Sequence, residues 1–421
     1  MSDRTFDPMR NYPDWLLAYC DYASFTEAPR RMHFWSGVSA IAGALRRRVW
    51  LDMKSFKWYT NHYIILVAPP GIVSKTTTIS IATSLLRSIP GIKFGPEVVT
   101  WPALVTSFAE ANEQFDATGQ GDWMAQCALT LESGEFGNLI NPQDREMIDL
   151  LVTLWDAKQG AFNKKTKHSG SDTVENPWIN LIACTTPAWI AGNFPEYVIG
   201  GGFTSRCVFV HCDTKEKLVA LPDEAAPENF DQTQEKLRAD LEYIAQNLVG
   251  RFKIAPDARE WTREWYKAHY ANPPEHLHDE RFAGYLARKQ THLFKLAMIL
   301  SVSRGDSLTI EVSDLVIGLK MLKDLEEDMP KVFSKIGRSE ASIHAERFVR
   351  FVHSRGAVPY EQAYNYVHLH FPNFRDFEGI VNGAIRSGQI MLEPKNGQML
   401  IKAAVPTPTP QQPKPPSESS S

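Results

Sequence analysis

The run Tyr63-Ile64-Ile65-Leu66-Val67 passes without a break into Ala68-Pro69-Pro70-Gly71-Ile72-Val73-Ser74-Lys75-Thr76-Thr77-Thr78, after which Ile79, Ile81, Ala82, Leu85 and Leu86 recur at helical spacing. Apolar, β-branched residues without alternation predict a strand buried on both faces. The prolines and glycine predict a loop, and the 3.6-residue period a helix. Strand, loop and helix in that order point to an α/β fold and raise one chemistry for the loop. Backbone N–H groups at a helix start can wrap a phosphate, a lysine can neutralise its charge, and a neighbouring hydroxyl can reach magnesium. Against the pattern G-x-x-x-x-G-K-[ST], Pro69 and Ser74 occupy the glycine places, while Lys75 and Thr76 stand where the pattern needs them. Pro70, Gly71, Ser74, Lys75 and Thr76 are the candidate nucleotide-binding residues, with Thr76 also a candidate for Mg2+. An ordinary helix opening with Lys-Thr is the alternative.

A magnesium-dependent nucleotide hydrolase also needs carboxylates beside the loop. Downstream, Ala128-Leu129-Thr130-Leu131 ends in Glu132-Ser133-Gly134-Glu135-Phe136-Gly137. Glu135 is the expected catalytic carboxylate and Glu132 the expected metal residue, with a solvated turn as the alternative for either. A further strand, Ile179 to Cys184, ends in Thr185-Thr186-Pro187, whose hydroxyls are expected to sense a terminal phosphate or orient water. Beyond it, Gly200-Gly201-Gly202-Phe203-Thr204-Ser205-Arg206 places an arginine after a glycine-rich turn. Arg206 is read either as stabilising transition-state charge, in its own chain or a neighbour's, or as a structural salt bridge.

At 421 residues the chain has length for two or three domains, and 43% hydrophobic with 22% charged residues is an ordinary globular balance. The five cysteines are scattered and form no C-x-x-C pair, as expected of reduced thiols. No apolar run reaches the roughly 18 residues of a membrane span, and the first residues are polar, so the expected place is the cytoplasm, away from membranes. The net charge of −4 offers no global attraction for nucleic acid, so any DNA contact must come from a local patch.

The expected organisation is a helical N-terminal element over residues 1–50 and an α/β core over 51–214. A helical lid over 215–335, a C-terminal module over 339–403 and a disordered Pro/Ser/Thr-rich tail over 404–421 follow. Arg46-Arg47-Arg48, after the second helix, reads as capping and solvation. In the lid, Arg288 is a candidate second nucleotide contact, as is its neighbour Lys289, with a plain helix-surface role as the alternative. The 339–403 segment reads helix, helix, helix and two strands joined at Asn396-Gly397, the outline of a winged helix. Its Arg375, Arg386 and Lys395 are placed to meet phosphates or a protein partner.

Taken in order, Asp14-Trp15-Leu16, Val67 to Gly71 with Lys75-Thr76, Glu135-Phe136-Gly137, Thr185-Thr186-Pro187, Gly202-Phe203 with Ser205-Arg206, and Lys295-Leu296-Ala297 resemble the phage and prophage DUF3987 family of P-loop proteins over about Asp14 to Leu325. The resemblance implies a P-loop NTPase core, ATP and Mg2+ as cofactors, and helicase- or primase-associated work on DNA with phage replication proteins. It departs from the family at Ser74, where the loop usually has glycine, and at Gly134, where an aspartate usually precedes the glutamate. The Gly-Phe-x-Ser-Arg segment is also similar to AAA+ and superfamily 3 helicases, which implies a homo-oligomeric, hexameric ring. Those helicases carry a basic hairpin whose counterpart here spans Ala161 to Asp172, with Lys164, Lys165, Lys167 and His168 as the expected contacts to single-stranded or forked DNA. A solvated basic loop is the alternative. The resulting expectation is a ring-forming replicative DNA helicase, against an ATP-gated helicase loader or scaffold that does not translocate.

Overall fold

The strand Tyr63–Val67 is buried at every residue, and its two faces belong to different cores: Ile64 and Leu66 to one, Tyr63, Ile65 and Val67 to the other. That explains why the run shows no alternation, because with helices on both faces no position is left for a polar residue. Each fully buried aliphatic side chain contributes on the order of 1.5–3 kcal/mol.

The computed structural model describes residues 10–118, 120–166, 170–199, 201–333, 340–368, 373–395 and 397–404. Two compact units divide the chain, Met1–Ile336 and Gly337–Ser421. In the first, α1 (Trp15–Ala23) and α2 (Arg30–Leu45) are followed by β1 (Val49–Asp52), β2 (Lys57–Trp58) and β3 (Tyr63–Val67). Then come α3 (Lys75–Arg87), α4 (Trp101–Glu110), β4 (Asn112–Asp116), β5 (Trp123–Ser133), α5 (Phe136–Leu139), α6 (Arg145–Trp155), β6 (Ala161–Thr166), β7 (Gly170–Glu175) and β8 (Pro177–Thr185). Next are α7 (Pro187–Asn193), α8 (Glu196–Ile199), β9 (Cys207–His211), α9 (Pro222–Ala225), α10 (Phe230–Asn247) and β10 (Gly250–Ile254). The unit closes with α11 (Pro256–Ala271), α12 (Glu280–Arg304), β11 (Thr309–Ile310), α13 (Val312–Glu326) and α14 (Met329–Phe333). The fold is mixed α/β.

The main sheet has the order β4-β5-β8-β3-β9. β5, β8, β3 and β9 are parallel, so their C-terminal ends share one edge, and β4 is an antiparallel addition. β8 is inserted between β5 and β3, which makes the loop after β3 a neighbour of the ends of β8 and β5. Ligands of open α/β sheets gather at that edge.

Residues 215–335 are not a separate helical layer. β10 and β11 lie within them and join β1 and β2 in a second sheet of order β11-β10-β1-β2. Residues of α10, α12 and α13 also share one core with α1, α2 and α3. Nor is the arginine triplet solvated. Arg46 pairs with Glu113 at 2.7 Å, and Arg47 donates to the carbonyls of Ala157 (2.7 Å) and Pro177 (3.0 Å) while stacking 4.1 Å over Tyr59. Arg48 donates to the Ala245 and Gln246 carbonyls. The three guanidinium groups satisfy carbonyls at the ends of other elements, which offsets the cost of burying charge.

The second unit comprises α15 (Glu340–Arg355), β12 (Ala357–Pro359), α16 (Tyr360–Val367), α17 (Phe374–Arg386), β13 (Ile390–Lys395) and β14 (Gln398–Ala403), with sheet order β12-β14-β13. The short β12 was not expected from sequence. Lys395 pairs with Gln398, which leaves a two-residue turn, and Gly397 within it has φ +76°, a conformation glycine adopts without strain. Among the described residues no helix is long and apolar enough to cross a membrane.

Candidate functional site

β3 stops at Val67 because Pro69 and Pro70 have no N–H to continue the ladder. Gly71, at φ +71° with open space where a Cβ would lie, turns the chain towards α3. Lys75 opens the helix and its Nζ donates to the Ala68 carbonyl at 2.9 Å, closing the loop on itself and holding the ammonium against it. The first turn carries no acidic side chain, and the Ser74 side chain makes no capping bond. The Lys75 N–H turns back to the Val73 carbonyl at 2.8 Å, so the helix start keeps the N–H groups of Thr76 and Thr77, with their partial positive charge, for a ligand. Thr76 and Thr77 are exposed, whereas Thr78 is buried and bonds the Ser74 carbonyl at 2.9 Å. One face of the helix start is thus anchored and the other faces solvent with lysine and hydroxyl groups.

The two carboxylates part company. Glu132 accepts from Thr83 Oγ1 at 2.9 Å and from Arg87 at 2.8 and 3.2 Å, well along α3 from Thr76. It lies on the same face of β5 as Ala128 and Thr130, and α3 covers that face. The metal role expected for Glu132 is corrected on this ground: its oxygens are already taken by α3. The residue that faces Thr76 is Gly134, where a Cβ would come within 3.2 Å of Thr76 Cγ2 and 3.6 Å of its Oγ1. Glu135, next in sequence, is exposed and precedes α5, its backbone fixed by the Ser133 hydroxyl, which donates to the Glu135 carbonyl at 2.7 Å. Lys75, Glu135 and Glu132 all act on the thiol of Cys184 on β8. Burial pushes that thiol up most, Lys75 pulls it down, and the carboxylates push it up further.

Thr185 pairs with Val67 and its carbonyl accepts from the Ala68 N–H at 3.3 Å, which sets it beside the loop. The Thr186 hydroxyl instead caps α7, accepting from Trp189 N at 3.1 Å. Lys75, Thr76, Glu135 and Thr185 are therefore brought to one edge of the sheet.

The two arginines are not. Arg206 precedes Cys207, which pairs with Tyr63 at the other end of β3, about 13 Å from Val67 at roughly 3.3 Å per residue. It is only 6% exposed, donates to the Gly202 carbonyl at 2.7 Å, and pairs with Asp156 at 3.0 Å, which is the salt-bridge alternative. Arg288 lines the same cleft as Arg206, with its helix packed so that Gly284 abuts Ser205. Neither reaches the loop of its own chain. Lys289 is buried against Glu326 at 2.6 Å and is likewise unavailable.

The expected hairpin is present as the antiparallel pair β6 and β7, with Lys164 opposite Asp172 and Lys165 opposite Ser171. Lys167 and His168 lie outside the described residues. No group of three or more His, Cys, Asp or Glu residues suited to a metal occurs among the described residues. Compared with known proteins, the chain matches no family model and no curated sequence. Sequence reasoning missed Gly134 as the residue opposite Thr76. The alternation of β5 carries part of that signal, since it assigns Glu132 to the α3 face.

Proposed function

We propose that this chain is a Mg2+-dependent P-loop ATPase that acts on DNA. The observation that carries the reading is the loop edge, where the Lys75 ammonium is held against the Ala68 carbonyl, an uncapped helix start follows, and exposed Thr76 and Glu135 stand with Thr185 at the ends of parallel strands. Loop N–H groups around Pro70, Gly71 and Ser74, together with Lys75, suit a polyphosphate. The donor set fits a nucleotide-borne magnesium ion: Thr76 would hold it, with phosphate and water oxygens completing its shell, as Mg2+ prefers. The ion would supply neutralisation of phosphate charge. Glu135 polarises the attacking water, and Thr185 contributes its backbone and hydroxyl to the wall of the site.

DNA as the partner is supported by the basic β6–β7 segment and by the second unit, whose order of helix, strand, helix, helix and two-stranded hairpin suits a winged helix with Arg375, Arg386 and Lys395 exposed. A hexameric helicase is the sharpest form of the reading, and it rests on the resemblance to ring helicases. A loader that binds ATP without translocating is the rival. An ATPase assay on purified protein, with and without single-stranded DNA, separates them. Mg2+-dependent hydrolysis that rises severalfold on DNA addition is expected, with loss of turnover but not of ATP binding in Glu135→Gln. Slow hydrolysis indifferent to DNA favours the loader, and absence of ATP binding removes the reading.

The position of Gly134 makes a second test. Gly134→Asp brings a carboxylate against Thr76, where it can accept from water on the ion. The expected result is half-maximal hydrolysis at a severalfold lower Mg2+ concentration; an unchanged Mg2+ titration would place the ion away from Thr76.

A further inference from the structure

At the sheet edge opposite the loop, a cleft of about 350 Å³ is lined by Lys57, Lys158, Arg206, Arg288 and Lys295 against a single carboxylate, Asp156. In a chain of net charge −4 this is a local reversal of sign. Asp156 is already committed to Arg206 at 3.0 Å. Lys295 is committed to the Asn61 carbonyl and Oδ1 at 3.1 and 2.9 Å and lies 3.8 Å over the Trp155 ring. Burial pushes its ammonium well below its ordinary range, so the positive charge of the cleft rests on Lys57, Lys158, Arg206 and Arg288. Two buried donors of the lining, Arg206 Nε and Trp155 Nε1, have no hydrogen-bond acceptor among the described residues. Burial first, and then the charge of Arg206, hold the Arg288 guanidinium below its ordinary range. The cleft thus carries an excess of donors and like charges that an anion would relieve.

Apart from Thr291 the remaining wall is aromatic: Phe56, Trp58, Tyr59 and Trp155. Phe56 is 50% exposed, a ring left in water at the mouth of a cationic cleft. Cations beside exposed rings are the combination that holds a phosphate and stacks a base. The cleft also lies at the foot of the basic hairpin, because Lys158 leads into β6 and the Gly160 N–H is closed onto Asn176 Oδ1 at 2.9 Å.

We propose that this cleft is a second phosphate site, built for one nucleotide unit of a single strand, with the backbone phosphate met by Arg288, Lys158 and Lys57 and a base laid on Trp58 and Phe56. The volume suits one such unit. A phosphate with an aromatic base also describes a free nucleotide, so the test separates the two sources. The strand rests on the reading of the chain as a DNA-acting protein, whereas the cleft itself does not depend on the loop.

The experiment uses the full chain carrying Lys75→Ala, which removes the loop from the measurement, and follows a labelled oligothymidylate by fluorescence anisotropy. Lys158→Glu and Arg288→Glu are each expected to weaken binding at least tenfold and to lower its salt dependence, since a strand neutralised at fewer phosphates releases fewer counterions. Trp58→Ala is expected to weaken binding with the salt dependence retained. Lys267→Glu, a charge reversal on the exposed face of α11, is the control and should change neither. Thymidine 5′-monophosphate is expected to displace the oligomer only at far higher concentration; displacement at comparable concentration would assign the cleft to free nucleotide instead. Cleft variants that bind both ligands like the parent, or that are weakened no more than Lys267→Glu, overturn the proposal. ATP binding by the chain with Lys75 intact is measured separately, so failure of the cleft and failure of the loop are told apart.

Discussion

Lys75→Ala is expected to lose ATP affinity by a factor of about thirty to several thousand, the equivalent of the 2–5 kcal/mol typical of removing one partner from a buried charged pair. The ammonium sits where the loop closes, bonded to the Ala68 carbonyl, and the uncapped start of α3 supplies only partial charges to a triphosphate. Lys75→Arg is expected to restore little, because a planar guanidinium cannot replace a compact ammonium inside a closed loop. Isothermal titration with ATP and Mg2+ reads the effect, and thermal melting of the apo protein should move little, since only one partly exposed hydrogen bond is removed. Equal ATP affinity in wild type and Lys75→Ala would mean that nucleotide, if bound at all, is held elsewhere.

Where an element is buried on both faces its residues announce it. β3 and β9 run over the residues their apolar runs predict, because every position of both strands is inside. α3 begins at Lys75, directly after the loop that the prolines and glycine mark. β10 is hidden in the sequence although Arg251, Phe252 and Lys253 alternate exposed, buried, exposed. Five residues of alternation between two long helices are too few to override the helical period on either side. The shared core of α1, α2, α10, α12 and α13 was illegible for another reason. Periodicity shows that a helix has an apolar face but not which helix covers it, and residues of Trp15 and Leu237 type read the same whether packed locally or across more than two hundred positions.

The site was legible to the same degree. Lys75, Thr76 and Thr185 follow from strand ends, since parallel strands deliver their C-terminal residues to one edge. Glu132 was misplaced because side chains alternate along a strand, so a carboxylate near a strand end can serve the adjoining helix and not the ligand. For Arg206 the sequence left transition-state charge and a salt bridge open, and the register of β9 against β3 decides by setting it at the edge opposite the loop; Arg288, on α12, lines the same cleft. Burial with a carboxylate explains what sequence order cannot: an arginine after glycines reaches whatever anion the fold puts next to it, here Asp156.

Lys289 and Glu326 give the largest effect expected on stability. Both side chains are 2% exposed, Lys289 Nζ lies 2.6 and 2.8 Å from the two carboxylate oxygens, and the Tyr285 hydroxyl donates to Oε1 at 2.9 Å. Burial first, then the neighbouring carboxylate, pushes the Tyr285 phenol well above its ordinary range, so the hydroxyl stays a donor across the working pH range. Glu326→Ala leaves a buried ammonium without its counter-charge and a phenol without its acceptor, a change that typically costs about 3–5 kcal/mol. Lys289→Met should cost a similar amount through the stranded carboxylate. The double variant Lys289→Met with Glu326→Met is expected to recover much of that stability, because neither charge then has to be desolvated and the methionines fill comparable volume. Urea unfolding followed by tryptophan fluorescence measures this in the first unit alone, since all 11 tryptophans precede Gly337. A midpoint that barely moves in Glu326→Ala would mean that water reaches the pair, and single variants whose effects simply add in the double would show that the two charges do not stabilise one another.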